Sequence, residues 1–214
     1  MAEAPADRVS RRAILALPLL ASAGPALAAR GKVVTLLGDS ITAGLGLPAG
    51  DALPAQLHLA LERLGVANVV RGAGVSGDTT ASGAARLDFS VQPNTSVVVV
   101  ELGANDLLQG LDPRSTRANL DRILTRLAER RMGVVLVGLR APAEMGRGYA
   151  REFDAIFPAL ARAHRVALFP DLLGEVQRQP QLKQADGLHP NAEGVRRIAG
   201  RLAPVVARVL ARQP

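Results

Sequence analysis

The chain has no cysteine. Disulfides, iron–sulfur clusters and thiolate zinc sites are therefore excluded, and so is the lipid anchor that bacterial lipoproteins attach to a cysteine behind the signal. Aromatic residues are nearly as scarce, with one Tyr, four Phe and no Trp among 214 residues. The core must be aliphatic, and the aromatic platforms on which single-stranded nucleic acid stacks are missing. No apolar run approaches about 18 residues, so no transmembrane helix is indicated. Histidine is rare too: His58, His164 and His189 form no His-x₃-His pair, so no zinc site and no other metal or cofactor is expected. Acidic residues are in deficit, 19 against 26 basic ones, for a formal net charge of +7. The excess is almost all Arg, spread over several expected helices without a compact basic run. That pattern reads as a solvated basic surface and sets nucleic acid aside as a partner. Hydrophobic residues make up 48% of the chain, enough for one globular domain with a substantial core.

Residues 1–30 read as an address. Ser10-Arg11-Arg12 precedes the apolar stretch Ala13 to Gly24, and Ala26-Leu27-Ala28 follows as a small-x-small cleavage site. Charged, apolar and small-residue regions in this order make a signal peptide. The paired arginines suit a twin-arginine signal, and an ordinary secretory signal is its competitor. The expectation is cleavage near Ala28, a periplasmic or secreted protein, and one domain over residues 31–214.

Beyond Arg30, short β-branched runs alternate with longer amphipathic stretches. Strands are expected at Val33–Leu37, Asn68–Arg71, Ser96–Leu102, Gly133–Leu139 and Val166–Phe169. Helices are expected at Ala52–Leu64, Thr80–Leu87, Ser115–Arg130, Tyr149–Ala163 and Asn191–Leu210. The run SVVVVEL is apolar on both faces, as in a parallel sheet covered on both sides. The alternation predicts a three-layer α/β/α fold around a five-stranded, open parallel sheet. Ligands of such sheets bind at the carboxyl ends of the strands.

Three signals stand at those ends, and a fourth stands before the last helix. The first strand runs into Gly38-Asp39-Ser40, which places a serine at the sheet's rim; the same residue also suits a helix cap. In Asp186-Gly187-Leu188-His189-Pro190, the aspartate lies three residues before the imidazole. It can accept the Nδ1 proton of His189 and leave Nε2 to take a proton from a serine. Pro190 keeps His189 out of helical geometry and starts the next helix. Asn105 follows the third strand, where its amide can donate to a developing oxyanion. Gly77 in VSGDT can present a backbone N–H after the second strand. Asn105 also suits a turn, and Gly77 a plain strand-to-helix connection. Leu107, Leu108, Pro142 and Met145 follow strands three and four and are candidates for an acyl groove or for ordinary loop packing.

This order of blocks resembles the GDSL/SGNH hydrolase superfamily, with Ser40, Gly77, Asn105 and His189 at its invariant positions and Asp186 at its triad acid. The stretches GDSITAGLGL, AGVSGDTTASGAARLD, VVVELGANDLLQGL and DGLHPNAEG are similar to its bacterial arylesterase/acyl-thioesterase/lysophospholipase branch. The resemblance covers roughly residues 32–205. It implies the flavodoxin-like SGNH fold and an acyl-enzyme on Ser40. It also implies an oxyanion hole of Ser40, Gly77 and Asn105, a small acyl-ester or acyl-thioester substrate, and no metal. A monomer without membrane insertion is expected. The sequence departs from the family pattern at Gly72 and Glu144, where many relatives carry Asn. The first bears on hydrogen bonding beneath the Gly77 loop and the second on substrate preference. Carbohydrate acetylesterases share the same blocks and are the rival reading. Two remoter readings are a non-catalytic lipid- or glycan-binding module and a dinucleotide-binding protein, since Gly72-Ala73-Gly74-Val75-Ser76-Gly77 fits G-x-G-x-x-G.

Overall fold

The computed structural model describes residues 31–214; the export segment expected over residues 1–30 lies outside the described residues. In chain order the elements are β1 (Lys32–Gly38), α1 (Ser40–Ala43), α2 (Leu53–Arg63), β2 (Asn68–Gly74), α3 (Thr80–Ala85), α4 (Leu87–Ser90), β3 (Val97–Glu101), α5 (Ala104–Leu108), α6 (Pro113–Glu129), β4 (Gly133–Val137), α7 (Arg147–His164), β5 (Ala167–Phe169), α8 (Gly174–Gln177) and α9 (Ala192–Leu210). The strands form one parallel sheet in the order β2-β1-β3-β4-β5. Helices α2 and α9 pack together over one face, and α3, α6 and α7 over the other. The expected three-layer α/β/α fold is therefore observed.

Burial follows from this layering. The four valines of β3 are wholly buried, as are the central residues of β1 and β4. Each such side chain stabilises the fold by about 1.5–3 kcal/mol before the cost of ordering it. The few aromatics are concentrated rather than scattered. Tyr149, Phe153 and Phe157 recur every fourth residue on α7, with Phe153 and Phe157 edge to face at 5.6 Å. Both α7 and α9 run through an internal proline, Pro158 and Pro204. The sequence pattern had carried both helices across these residues, because the apolar stripe continues on either side.

Two boundaries differ from expectation in ways that matter for the site. Strand β2 continues three residues past Arg71, because Gly72, Ala73 and Gly74 pair with Leu36, Leu37 and Gly38 of β1. Gly72 and Gly74 are thus strand residues at a sheet edge, not parts of a phosphate-cradling turn, and the dinucleotide reading is corrected. Gly72 also lies against Pro54, whose Cγ would stand 2.9 Å from an added Cβ. The second boundary concerns Pro190, which does not open the last helix. Asn191 is the cap instead, its side chain accepting the Gly194 N–H at 3.0 Å. Pro190 forms an isolated antiparallel bridge with Lys183.

The order 2-1-3-4-5 makes the chain reverse its direction of travel between β1 and β3. A crevice opens at the carboxyl ends of those two strands, where Gly74 is in tight contact with α1. A Cβ on Gly74 would collide with the Ala43 nitrogen and stand 2.7 Å from the Asp39 carbonyl oxygen. These are backbone atoms that cannot rotate away. Gly74→Ala is expected to lower stability by about 1–3 kcal/mol in urea unfolding, the usual cost of overpacking. A variant as stable as the parent would show that α1 shifts freely against β2.

Candidate active site

The turn after β1 is built to project Ser40. Asp39 caps α1, its Oδ1 accepting the Ile41 N–H at 3.0 Å. Ser40 is then the first residue of a four-residue helix that ends on Gly44 at φ 74°. First-turn N–H groups have no partner within a helix, so the Ser40 N–H is not used by α1 itself.

The loop from Lys183 to Pro190 brings the imidazole to this turn. The Gln184 N–H donates to the His189 carbonyl at 2.8 Å. The Gln184 side-chain amide donates both to the Pro190 carbonyl at 3.0 Å and to the Leu45 carbonyl, just beyond α1, at 2.8 Å. Gly187 takes φ 69°, which bends the chain between acid and imidazole. As a result Ser40 Oγ stands 2.8 Å from His189 Nε2, and His189 Nδ1 stands 2.6 Å from Asp186 Oδ2. Asp186 also accepts the N–H groups of Leu188 and His189 at 2.9 and 3.0 Å. These bonds, the one from Leu188 foremost, hold its carboxyl down at about 2. An ionised carboxylate only accepts, so Nδ1 carries the proton and Nε2 is left to accept from the Ser40 hydroxyl.

Two further groups converge from the other side. Asn105, in the first turn of α5, donates from Nδ2 to the Asp78 carbonyl at 2.9 Å. Its other contact, to Asp39 Oδ2 at 3.4 Å, is long and weak. Gly77 lies in the loop after β2 at φ 87°, a conformation that favours glycine. Ser40, Ser76, Gly77, Asn105 and His189 all line one cavity of about 210 Å³. A larger hollow of about 380 Å³ at the amino ends of β4 and β5 contains none of them.

The apolar wall of the cavity is only partly the one expected. Leu108 lines it, 59% exposed. Leu107 is buried in the core instead, because adjacent residues on a helix point about 100° apart. Pro142 is exposed and Met145 packs against the core; neither lines the cavity. Their turn follows β4, one strand beyond the crevice, and Glu144 shares it. Ile41, Leu45, Ala104, Leu173 and Leu188 complete the wall. Of these, Leu45 carried a readable signal: an apolar residue between two glycines, directly after the serine's turn.

With this geometry established, comparison with known proteins is direct. A model of the GDSL-like lipase/acylhydrolase family matches residues 36–197. The chain belongs to this family. It is 38% identical to thioesterase 1/protease 1/lysophospholipase L1 of Escherichia coli K12 over 177 residues, 82% of this chain and 84% of that one. It is 36% identical to an arylesterase of Vibrio mimicus, over 74% of this chain and 80% of the relative. Among solved structures, the SGNH-hydrolase family esterase AlinE4 shares 42% identity and superposes with a TM-score of 0.71, covering 83% of this chain and 96% of that one.

The GDSL-like site also contains buried acids to which the sequence motifs assign no hydrolase role. Glu101, the last residue of β3, is wholly enclosed. Its Oε2 accepts the Thr42 hydroxyl at 2.8 Å and, weakly, the Asp39 N–H at 3.4 Å; its Oε1 has no partner. Burial pushes the Glu101 carboxyl well above its ordinary range, and the neighbouring Asp39 charge adds to this. Burial likewise raises Asp39, to about 6. Enclosing an ionised oxygen without a partner is costly, and this is the physical cause of the upward shift. Asp106 ties α5 to α3 and α6, accepting the Thr80 N–H at 2.8 Å and the Thr116 hydroxyl at 3.1 Å. The other histidines pair locally, His58 with Asn68 at 2.8 Å and His164 with Asp121 at 2.7 Å. Among the described residues, no group of three or more His, Cys, Asp or Glu side chains is arranged to hold a metal ion, and no helix is long and apolar enough to cross a membrane.

The Asp186 environment gives a measurable expectation. A depressed carboxylate pKa contributes stability above the unfolded value and loses it as pH falls through the folded one. That window runs here from about 4 down to about 2. Carboxyl NMR of the folded protein should show Asp186 protonating near pH 2. A midpoint near the ordinary 3.8 would mean that the bonds from Leu188 and His189 are absent in solution.

Proposed function

We propose that this chain is an exported serine hydrolase that cleaves acyl esters and thioesters, with Ser40 as nucleophile, His189 as general base and acid, and Asp186 orienting the imidazole. The observation that carries this is the pair of contacts Ser40 Oγ–His189 Nε2 at 2.8 Å and His189 Nδ1–Asp186 Oδ2 at 2.6 Å, at the edge of a leucine-lined cavity. In the first half-reaction Ser40 Oγ attacks the acyl carbon as its proton passes to Nε2. The carbonyl oxygen takes up the negative charge between the N–H groups of Ser40 and Gly77 and the Asn105 amide. Asn105 exchanges its long contact with Asp39 for this stronger one. Collapse of the tetrahedral intermediate expels the alkoxide or thiolate, which takes the proton from Nε2. Water then repeats the sequence on the acyl-Ser40 ester. The names of the relatives, a thioesterase/lysophospholipase and an arylesterase, support this substrate class.

The cavity favours an acyl chain over a sugar. Beyond the reacting groups its walls are Ile41, Leu45, Ala104, Leu108, Leu173 and Leu188, with Ser76 the one further hydroxyl. A polyhydroxylated substrate would leave its groups unpaired there. At about 210 Å³ it is also smaller than the ~300–1,000 Å³ of drug-sized sites, which suits short acyl chains. Residues 1–30 would direct export and residues 31–214 form the hydrolase domain.

Ser40→Ala and His189→Ala should each abolish hydrolysis of p-nitrophenyl butyrate and labelling by a fluorophosphonate; near-parental turnover in either rejects the assignment. Asn105→Ala should lose about 10²–10³ in kcat, and an unchanged rate would remove it from the oxyanion site. Across a series of p-nitrophenyl esters, butyrate should exceed palmitate in kcat/KM. Replacing Leu108 with Trp should sharpen that preference, and a profile unmoved by the change would take Leu108 out of the acyl wall.

A further inference from the structure

A largely buried ion pair behind the cavity is used by none of the steps above. Arg86 joins α3 to α4, and its guanidinium makes three separate bonds. Nε lies 2.6 Å from Asp78 Oδ2, Nη2 donates to the Gly38 carbonyl at 2.9 Å, and Nη1 donates to Ser90 Oγ at 2.8 Å. The Arg86 and Asp78 side chains are only 19% and 11% exposed, so water screens the pair weakly. Neither residue lines the cavity.

We propose that Arg86 is a positioning residue for the oxyanion donors, a role that rests on the hydrolase reading above. The partners explain how. Gly38 is two residues before Ser40, and its carbonyl also accepts the Val75 N–H at 3.1 Å, where the loop leaves β2. Asp78 directly follows Gly77, and its own N–H closes the turn onto the Val75 carbonyl at 3.1 Å. The Asp78 carbonyl in turn accepts the Asn105 amide at 2.9 Å. One planar guanidinium therefore fixes the distance between the strand end that carries the Ser40 N–H and the loop that carries the Gly77 N–H. Through Asp78 it also fixes the amide of Asn105. A lysine could hold Asp78 but could not reach both groups with a planar fork. Donors that are held in advance need no reorganisation when charge develops, so loosening the frame weakens transition-state binding more than substrate binding.

The test compares Arg86→Lys, Arg86→Ala and Asp78→Asn with the parent. It measures kcat and KM on p-nitrophenyl butyrate, inhibition by an alkyl trifluoromethyl ketone that adds to Ser40 as a tetrahedral adduct, and thermal unfolding. Arg86→Lys should lose about 10- to 100-fold in kcat, the scale set by misplacement of about 1 Å, with KM nearly unchanged. Ketone affinity should weaken by the same factor as kcat/KM, and added guanidinium should restore part of the rate of Arg86→Ala. If Arg86→Ala does not fold, Arg86→Lys, which keeps the charge on Asp78, decides. Parental kcat in folded Arg86→Lys, or a loss of kcat with ketone affinity intact, overturns the proposal. Ser40→Ala serves as the control: if it is inactive while the Arg86 variants are parental, only this inference fails. An active Ser40→Ala would remove the hydrolase reading itself.

Discussion

The contact between Ser40 and His189 joins residues 149 positions apart, and the rest of the molecule is organised around making it reproducible. Each partner stands on a short, irregular segment with little rigidity of its own. Precision comes from what grips those segments. On the serine side it comes from the capped turn after β1, wedged against Gly74. On the histidine side it comes from Gln184, which bonds its own loop and the carbonyl of Leu45 together. A hydrogen bond at 2.8 Å between a short turn of helix and a loop is weak evidence of function alone. It becomes strong evidence where bonds on both sides leave the two segments few alternative positions.

Electrostatics divides the site into two halves. The Asp186 carboxylate is half exposed and held ionised by three N–H donors, which keeps the imidazole proton on Nδ1. Beneath Ser40 the opposite condition holds: Glu101 is enclosed, and burial pushes its carboxyl well above the ordinary range. Burial thus opposes a negative charge at the point where this acid braces Thr42 and the turn.

The sequence made the parallel sheet, its five strands and its long helices legible, because an all-valine run such as Val97–Val100 and a stripe such as Leu120, Ile123, Leu124 and Leu127 have few other interpretations. The Asp186–His189 spacing was legible for a similar reason: the geometry is local and a single glycine supplies the bend. What escaped was decided by distant partners. Strand β2 extends to Gly74 only because β1 lies alongside to pair with it, and no property of Gly-Ala-Gly announces a strand. Helices of four or five residues, α1, α4, α5 and α8, are too short to show periodicity. Leu107 and Leu108 are indistinguishable in sequence, and only the rotation of α5 sends one to the core and the other to the cavity. Arg86 looked like one more surface cation among many, and its role depends on Asp78 and Gly38 meeting in space.

The two sides of the cavity also differ in how firmly they are held. The side with Gly77 and Asn105 consists of backbone and amide donors tied into largely buried bonds through Asp78, Arg86, Asp106 and Thr80. The apolar side consists of side chains, with Leu45 and Leu108 still 48% and 59% exposed. Changing a leucine side chain there alters cavity shape without removing a hydrogen bond of the donor frame, because the leucines bond to it only through their backbone. Changing a member of the frame shifts several donors together, since they share partners. Substrate preference can therefore vary across such a scaffold at little cost to the chemistry, whereas the chemistry tolerates little variation in the frame. Within the wall the same contrast recurs: Ile41 is buried beside Ser40, whereas Leu45 and Leu108 stand exposed at the cavity's mouth, where a change of side chain disturbs least.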